Sequence, residues 1–205
     1  MRHFWKISLV LVIGLAFSSC KKDKESKPQD GIVINGVRWA TSNVDMPGVF
    51  AANPEDAGMF YQWNRNIGWS NSDPMVNSDG GTQWDNSTPS GDGWEQEKDP
   101  CPCGWRVPTR EELQSLEKSK SYYGELHGVP GRFWGDDSNS LFLPIAGRRQ
   151  DITGVLGFVG QTGLYWGSTE KDSNAYRLGF NSTTMNTTYD KRTYGFSVRC
   201  VAEQE

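Results

Sequence analysis

Beyond residue 30 the apolar residues of this chain come in short runs closed by Gly or Asn, and that punctuation limits the fold more than any other feature. Ile32–Trp39 reads as a hairpin. Ile-Val-Ile leads into Asn35-Gly36 and out through Val37-Arg38-Trp39, and Asn-Gly readily adopts the left-handed backbone that a tight turn needs. Met59–Trp63 reads as a second, aromatic strand, and further strand-like runs fall at Leu141–Ala146, Gly163–Ser168, Ala175–Phe180 and Gly195–Val201. One helix stands out. Thr109-Arg110-Glu111-Glu112 forms a capping box after Pro108, and Leu113 and Leu116 share a face, which predicts a helix to about Lys118 with that face turned inward. Asn64–Lys98 follows neither a strand nor a helix period and reads as one long loop; Ser119–Asn139 reads as another irregular stretch. Many short strands with one or two helices lead to the expectation of an α+β domain, without internal repeats.

The N-terminus reads as a signal for export. Arg2 and Lys6 supply the positive end, and Ile7–Phe17 is an apolar run of 11 residues. A membrane-spanning helix needs about 20. The run closes on Phe17-Ser18-Ser19-Cys20, which resembles the lipobox of bacterial lipoproteins, with Phe17 replacing the usual aliphatic residue. The resemblance implies removal of residues 1–19 and acylation, palmitate included, of Cys20. Several acyl chains anchor a protein stably where one is marginal. Residues 20–30, with Lys21-Lys22-Asp23-Lys24, then read as a hydrophilic tether, and 31–205 as a single domain. The charged stretch after the cysteine resembles surface-export signals of Bacteroidetes lipoproteins, so the expected location is the outer membrane, facing the periplasm or the cell surface.

Composition excludes several classes. The chain is 36% hydrophobic and 22% charged, too polar for a membrane bundle, while nine Trp, seven Tyr and nine Phe are too many for a disordered chain. Past residue 30 there are 15 basic and 22 acidic residues, a balance of −7. Such a body has no electrostatic reason to bind nucleic acid, whose affinity comes largely from neutralised phosphates. With Cys20 acylated, Cys101, Cys103 and Cys200 remain, which in an oxidising compartment gives one bridge and one spare thiol. The leading pairing is Cys101–Cys200, closing a loop of about 100 residues; Cys101–Cys103 is the alternative. A structural zinc site wants four Cys or His ligands, and His127 is the only histidine past residue 30.

Residues Asp99-Pro-Cys-Pro-Cys-Gly-Trp-Arg-Val-Pro-Thr109, followed by Glu112 and Leu116, resemble the signature of the Fibrobacter succinogenes major paralogous domain. Gly36-Val-Arg-Trp-Ala40, Gly58-Met-Phe-Tyr-Gln-Trp63, Leu143-Pro-Ile-Ala-Gly-Arg148, Tyr165-Trp-Gly-Ser-Thr169 and Gly195-Phe-Ser-Val-Arg-Cys-Val201 extend the resemblance over residues 31 to 203. Cys103 occupies a variable position of the pattern, and Gly167 stands where serine is more usual. The resemblance implies an exported or lipid-anchored bacterial protein with a C-type-lectin-like fold, shared with formylglycine-generating enzymes. It supports pairing Cys101 with Cys200. It implies no particular reaction.

Candidate chemistry is sparse. Nothing near His127 in sequence marks it as a general base, and formylglycine-generating enzymes use paired active-site cysteines, where this chain would keep only Cys103. Asp136-Asp137-Ser138-Asn139 and Trp84-Asp85-Asn86 offer oxygen ligands of the type calcium takes, though the sugar-binding lectin motif Glu-Pro-Asn is missing and solvated turns explain both. Trp69, Trp84 and Trp94 lie in the polar loop with few apolar neighbours, and exposed rings there would stack on sugars or anchor a protein. The expectation is a non-catalytic recognition or accessory module, without cofactor, for a glycan or an envelope protein such as an outer-membrane nutrient importer. An oxidative enzyme of the formylglycine-generating type and a passive structural envelope protein are the alternatives.

Overall fold

A computed structural model describes residues 31–136 and 139–204; Cys20 and the segments read as signal and tether lie outside the described residues. Four antiparallel sheets carry the chain. The first joins β1 (Gly31–Ile34), β2 (Val37–Ala40), β15 (Val201–Ala202) and β5 (Trp105–Arg106), in the order β1-β2-β15-β5. Asn35 and Gly36 turn the β1–β2 hairpin at φ 50° and 81°, the left-handed values that Asn-Gly tolerates. The second sheet has the order β10-β9-β14-β3-β4, from β3 (Phe60–Gln62), β4 (Gly68–Trp69), β9 (Arg148–Arg149), β10 (Leu156–Gly157) and β14 (Gly195–Phe196). β6 (Ser121–Leu126), β7 (Val129–Asp136) and β8 (Asn139–Pro144) form a third, and β11 (Gly163–Lys171), β12 (Asn174–Phe180) and β13 (Met185–Lys191) a fourth.

The helix α1 (Arg110–Glu117) starts where its capping box places it. Thr109 Oγ1 accepts from the Glu112 amide at 3.3 Å, and the Glu112 carboxylate accepts from the Thr109 amide at 2.7 Å. Its buried Leu113 and Leu116 lie against the β11–β13 sheet.

The expectation of an α+β, C-type-lectin-like domain is overturned in its class: among the described residues strands take 41% and the one helix with its short 3-10 companion 6%, so the body is nearly all β. The error came from two segments. Ser119–Asn139, read as irregular, supplies β6 and β7, because Gly124, Gly131 and Pro130 mask the strand signal. Gly131 is there for space: a Cβ would sit 2.4 Å from the Phe142 ring. β13 (MNTTYDK) has little apolar character because it lies at the sheet edge with every residue exposed or half-buried.

Two apolar clusters form the core. One gathers Trp39, Trp134, Tyr165 and Phe180 with the helix leucines, and the other gathers Tyr61, Trp63, Trp166, Phe196 and Val198. The C-terminal segment feeds both, Val201 into the first and Val198 into the second, and between them Arg199, 1% exposed, donates to Asn43 Oδ1 at 2.9 Å and to the Thr41 carbonyl at 2.7 Å. Burial pulls that guanidinium down to about 10. Among the described residues no helix is long and apolar enough to cross a membrane.

Candidate functional site

The long loop from residue 64 to 98 contains little regular structure beyond β4, and its carbonyls are satisfied from the body. Arg149, 1% exposed, donates to the carbonyls of Ser70 (3.0 Å) and Ser72 (2.6 Å) and pairs with Asp73 at 2.9 Å. Arg192 donates to the carbonyls of Pro89 (3.3 Å) and Gly91 (2.8 Å) while its guanidinium lies over the Trp63 ring at 4.2 Å. Asn64 holds the far end, donating to the Ser90 carbonyl and to Glu95. A chain without its own ladder needs such donors when it is packed on a body.

This anchoring decides the loop tryptophans. Trp69 and Trp84 are 3% and 8% exposed, with ring centroids 4.8 Å apart, and Trp84 Nε1 donates to the Asp151 carbonyl at 3.0 Å. The exposure that ligand contact by Trp69 and Trp84 requires is therefore absent. Trp69 is buried as part of β4 in the second sheet, and Trp84 because the loop folds back against that sheet, where each removes its large surface from water. Trp94 is different. Half-buried, it packs 6.0 Å from Trp63, donates Nε1 to the Lys98 carbonyl at 2.9 Å, and borders open space.

That space is a cleft of about 800 Å³ between Trp94 and Trp105, lined also by Gln96, Glu97, Asp99, Arg106 and Glu203. The Cys101–Cys200 disulfide, with Cα atoms 6.1 Å apart, joins its wall to β15. Cys103, expected as the spare thiol, also lines the cleft, but none of the described cysteines is a free thiol. Asp99 shapes the floor: its Oδ1 accepts from the Cys101 amide at 2.9 Å and its Oδ2 from the Val107 amide at 3.0 Å. Burial raises this carboxyl above the usual carboxylate range. Arg106 donates to both Glu112 oxygens, at 2.9 and 2.7 Å, and Glu112 in turn caps the helix. For Glu112 burial opposes the charge, yet Arg106 and the Thr109 amide hold it below its ordinary value. The guanidinium is raised by its hydrogen bonds to Glu112. The stretch 99–112 is thus a self-supporting wall.

A second hollow, of about 380 Å³, lies on the other side of Lys98 and is lined by Arg65, Asn66, Ser87 and Thr88. Its charges are matched: Arg65 pairs with Asp85 and Lys98 with Glu95. Partial burial works against the Asp85 charge, but Arg65 and Ser87 bring it down to about 2. Those partners occupy both carboxylate oxygens of Asp85 in the Trp84-Asp85-Asn86 calcium candidate. The other candidate, 136–139, includes residues outside the described ones. Among the described residues no three His, Cys, Asp or Glu side chains form a group that could hold a metal ion. His127 sits outside both hollows, in the β6–β7 turn, where its Nδ1 lies 2.6 Å from Glu55 Oε1.

Sequence reasoning placed contacts in the 64–98 loop and missed most of the cleft. Gln96, Glu97 and Glu203 carry no motif of their own. The available signal was the 99–109 stretch, whose Asp99 and Arg106 build a wall. Comparison with protein-family models, curated proteins and solved structures found no match to this chain.

Proposed function

We propose that the chain is a lipid-anchored bacterial envelope protein whose β body recognises a ligand without transforming it. The cleft at Trp94 and Trp105 is the recognition site, and the anchor is the acylated Cys20. One observation carries this reading: a ligand-sized, aromatic-walled cleft in which Asp99 and Arg106 are committed to holding the walls. Ligand sites commonly enclose about 300–1,000 Å³, and the cleft falls in that range. The export signal and the likeness of residues 99–109 to the Fibrobacter succinogenes domain support an envelope setting, though no family-model match accompanies that likeness. An accessory role beside an outer-membrane importer is one concrete form of the proposal.

Gln96 is exposed at the rim, so Gln96→Trp fills the mouth while sparing the core. The full-length variant is expected to lose retention on isolated cell-envelope fractions and on immobilised glycans, where wild type binds. Equal retention of both would remove the cleft from consideration.

A further inference from the structure

We infer that the cleft takes a cationic side chain, lysine or arginine, presented by an extended segment of a partner polypeptide; this deepens the recognition reading and rests on it. Charge accounting around the cleft points that way. Among the described residues that line it the one cation, Arg106, is matched by the two oxygens of Glu112. Asp99, Glu97 and Glu203 are then in excess. Among the described residues the carboxylates of Glu97 and Glu203 make no ion pair, and both residues are exposed at the rim.

Glu203 acts on the interior of the site as well as its edge. Burial raises Asp99 and the Glu112 hydrogen bonds raise Arg106, and the Glu203 charge adds the least of the upward pushes on each, which places it within electrostatic reach of the floor. Reach is set by the backbone: the Glu203 amide donates to the Gly104 carbonyl at 2.9 Å, so the end of the chain is tied to the turn that forms the wall.

The walls suit the same ligand. Indole faces attract cations through their quadrupole, more strongly when the cation is partly desolvated. Trp94 and Trp105 both border the cleft, and the indole N–H of Trp94 is already spent on the Lys98 carbonyl. An anion would meet three carboxylates and an occupied guanidinium. The body past residue 30 carries −7, so the long-range field also steers cations inward. A cleft of about 800 Å³ has room for flanking backbone as well as the side chain.

The full-length chain, extracted in mild detergent, is titrated with end-capped tetralysine and tetra-arginine and with tetraglutamate, tetraglutamine and neutral oligosaccharides as controls. Heat and tryptophan fluorescence are the readouts, at low and at physiological salt. Saturable binding of the two cationic peptides alone is expected. The pair Glu97→Gln with Glu203→Gln should weaken it about tenfold, while the distant pair Asp79→Asn with Glu125→Gln should change it less than about twofold. Equal losses from both pairs would mean diffuse charge and overturn the inference, as would no binding of either cationic peptide. A neutral or acidic ligand blocked by Gln96→Trp but indifferent to Glu97→Gln with Glu203→Gln also overturns it, while leaving the recognition reading standing. That reading falls separately, if no ligand of any class senses Gln96→Trp.

Discussion

Glu112 is the residue on which the site wall depends, because one carboxylate serves the helix cap and neutralises Arg106. Its folded value lies below the ordinary one, so its contribution is fully present above the unfolded carboxylate range and is lost as pH falls through the folded value. Glu112→Gln should therefore cost about 2 kcal/mol at neutral pH and flatten the acid limb of the stability curve, measured by urea unfolding from neutral to acid pH. An unchanged acid limb would show that other carboxylates set it. The capping role was legible from Thr109 and Glu112 three positions apart. The Arg106 partnership was not, since it needs β5 to run back beside the helix start. The tryptophans show the same divide: a ring in a polar stretch looks exposed by sequence, and burial of Trp69 and Trp84 depends on the second sheet, which the one joins and the other packs on.

Among the elements, the 64–98 loop behaves as a packed layer because buried arginines on other elements hold it. Arg149 in β9 donates to three backbone carbonyls and one carboxylate, on residues 70–73 and 154. Replacing it with Met keeps the bulk and removes every donor. Arg149→Met is expected to cost about 3 kcal/mol and to open the loop near residues 70–76 to limited proteolysis before global unfolding. Digestion at the wild-type rate would mean the loop holds itself. Strand elements were legible where consecutive residues are buried on both faces, as in β8, β11 and the end of β12. β6, β7 and β13 were hidden by glycines, proline and the polar composition of an edge.

At the scale of the whole molecule, the Cys101–Cys200 bridge links the cleft wall to the residue that leads into the last strand. Cys101 and Cys200 are 99 residues apart, and closing a loop of that length stabilises by about 4.7 kcal/mol in the chain-entropy model. The pair Cys101→Ser with Cys200→Ser should lower stability by several kcal/mol, roughly that amount, and loosen ligand retention at temperatures where the fold persists; thermal unfolding beside a binding assay separates the two effects. A loss below about 1 kcal/mol would show that the β5–β15 pairing suffices alone.

The sequence by itself determined the β1–β2 hairpin and the capped helix, and it favoured Cys101–Cys200 while leaving Cys101–Cys103 open; the fold has the hairpin, the helix and the favoured bridge. The hairpin and the cap are written in residues whose conformational preference is local, whereas the bridge needed the fold to bring Cys200 beside Cys101. Tertiary structure alone decided that the body is nearly all β, that two loop tryptophans are core, and that Trp94, Glu97 and Glu203 border one cleft. Those outcomes follow from which distant surfaces meet, and burial is a property of the meeting rather than of the residue.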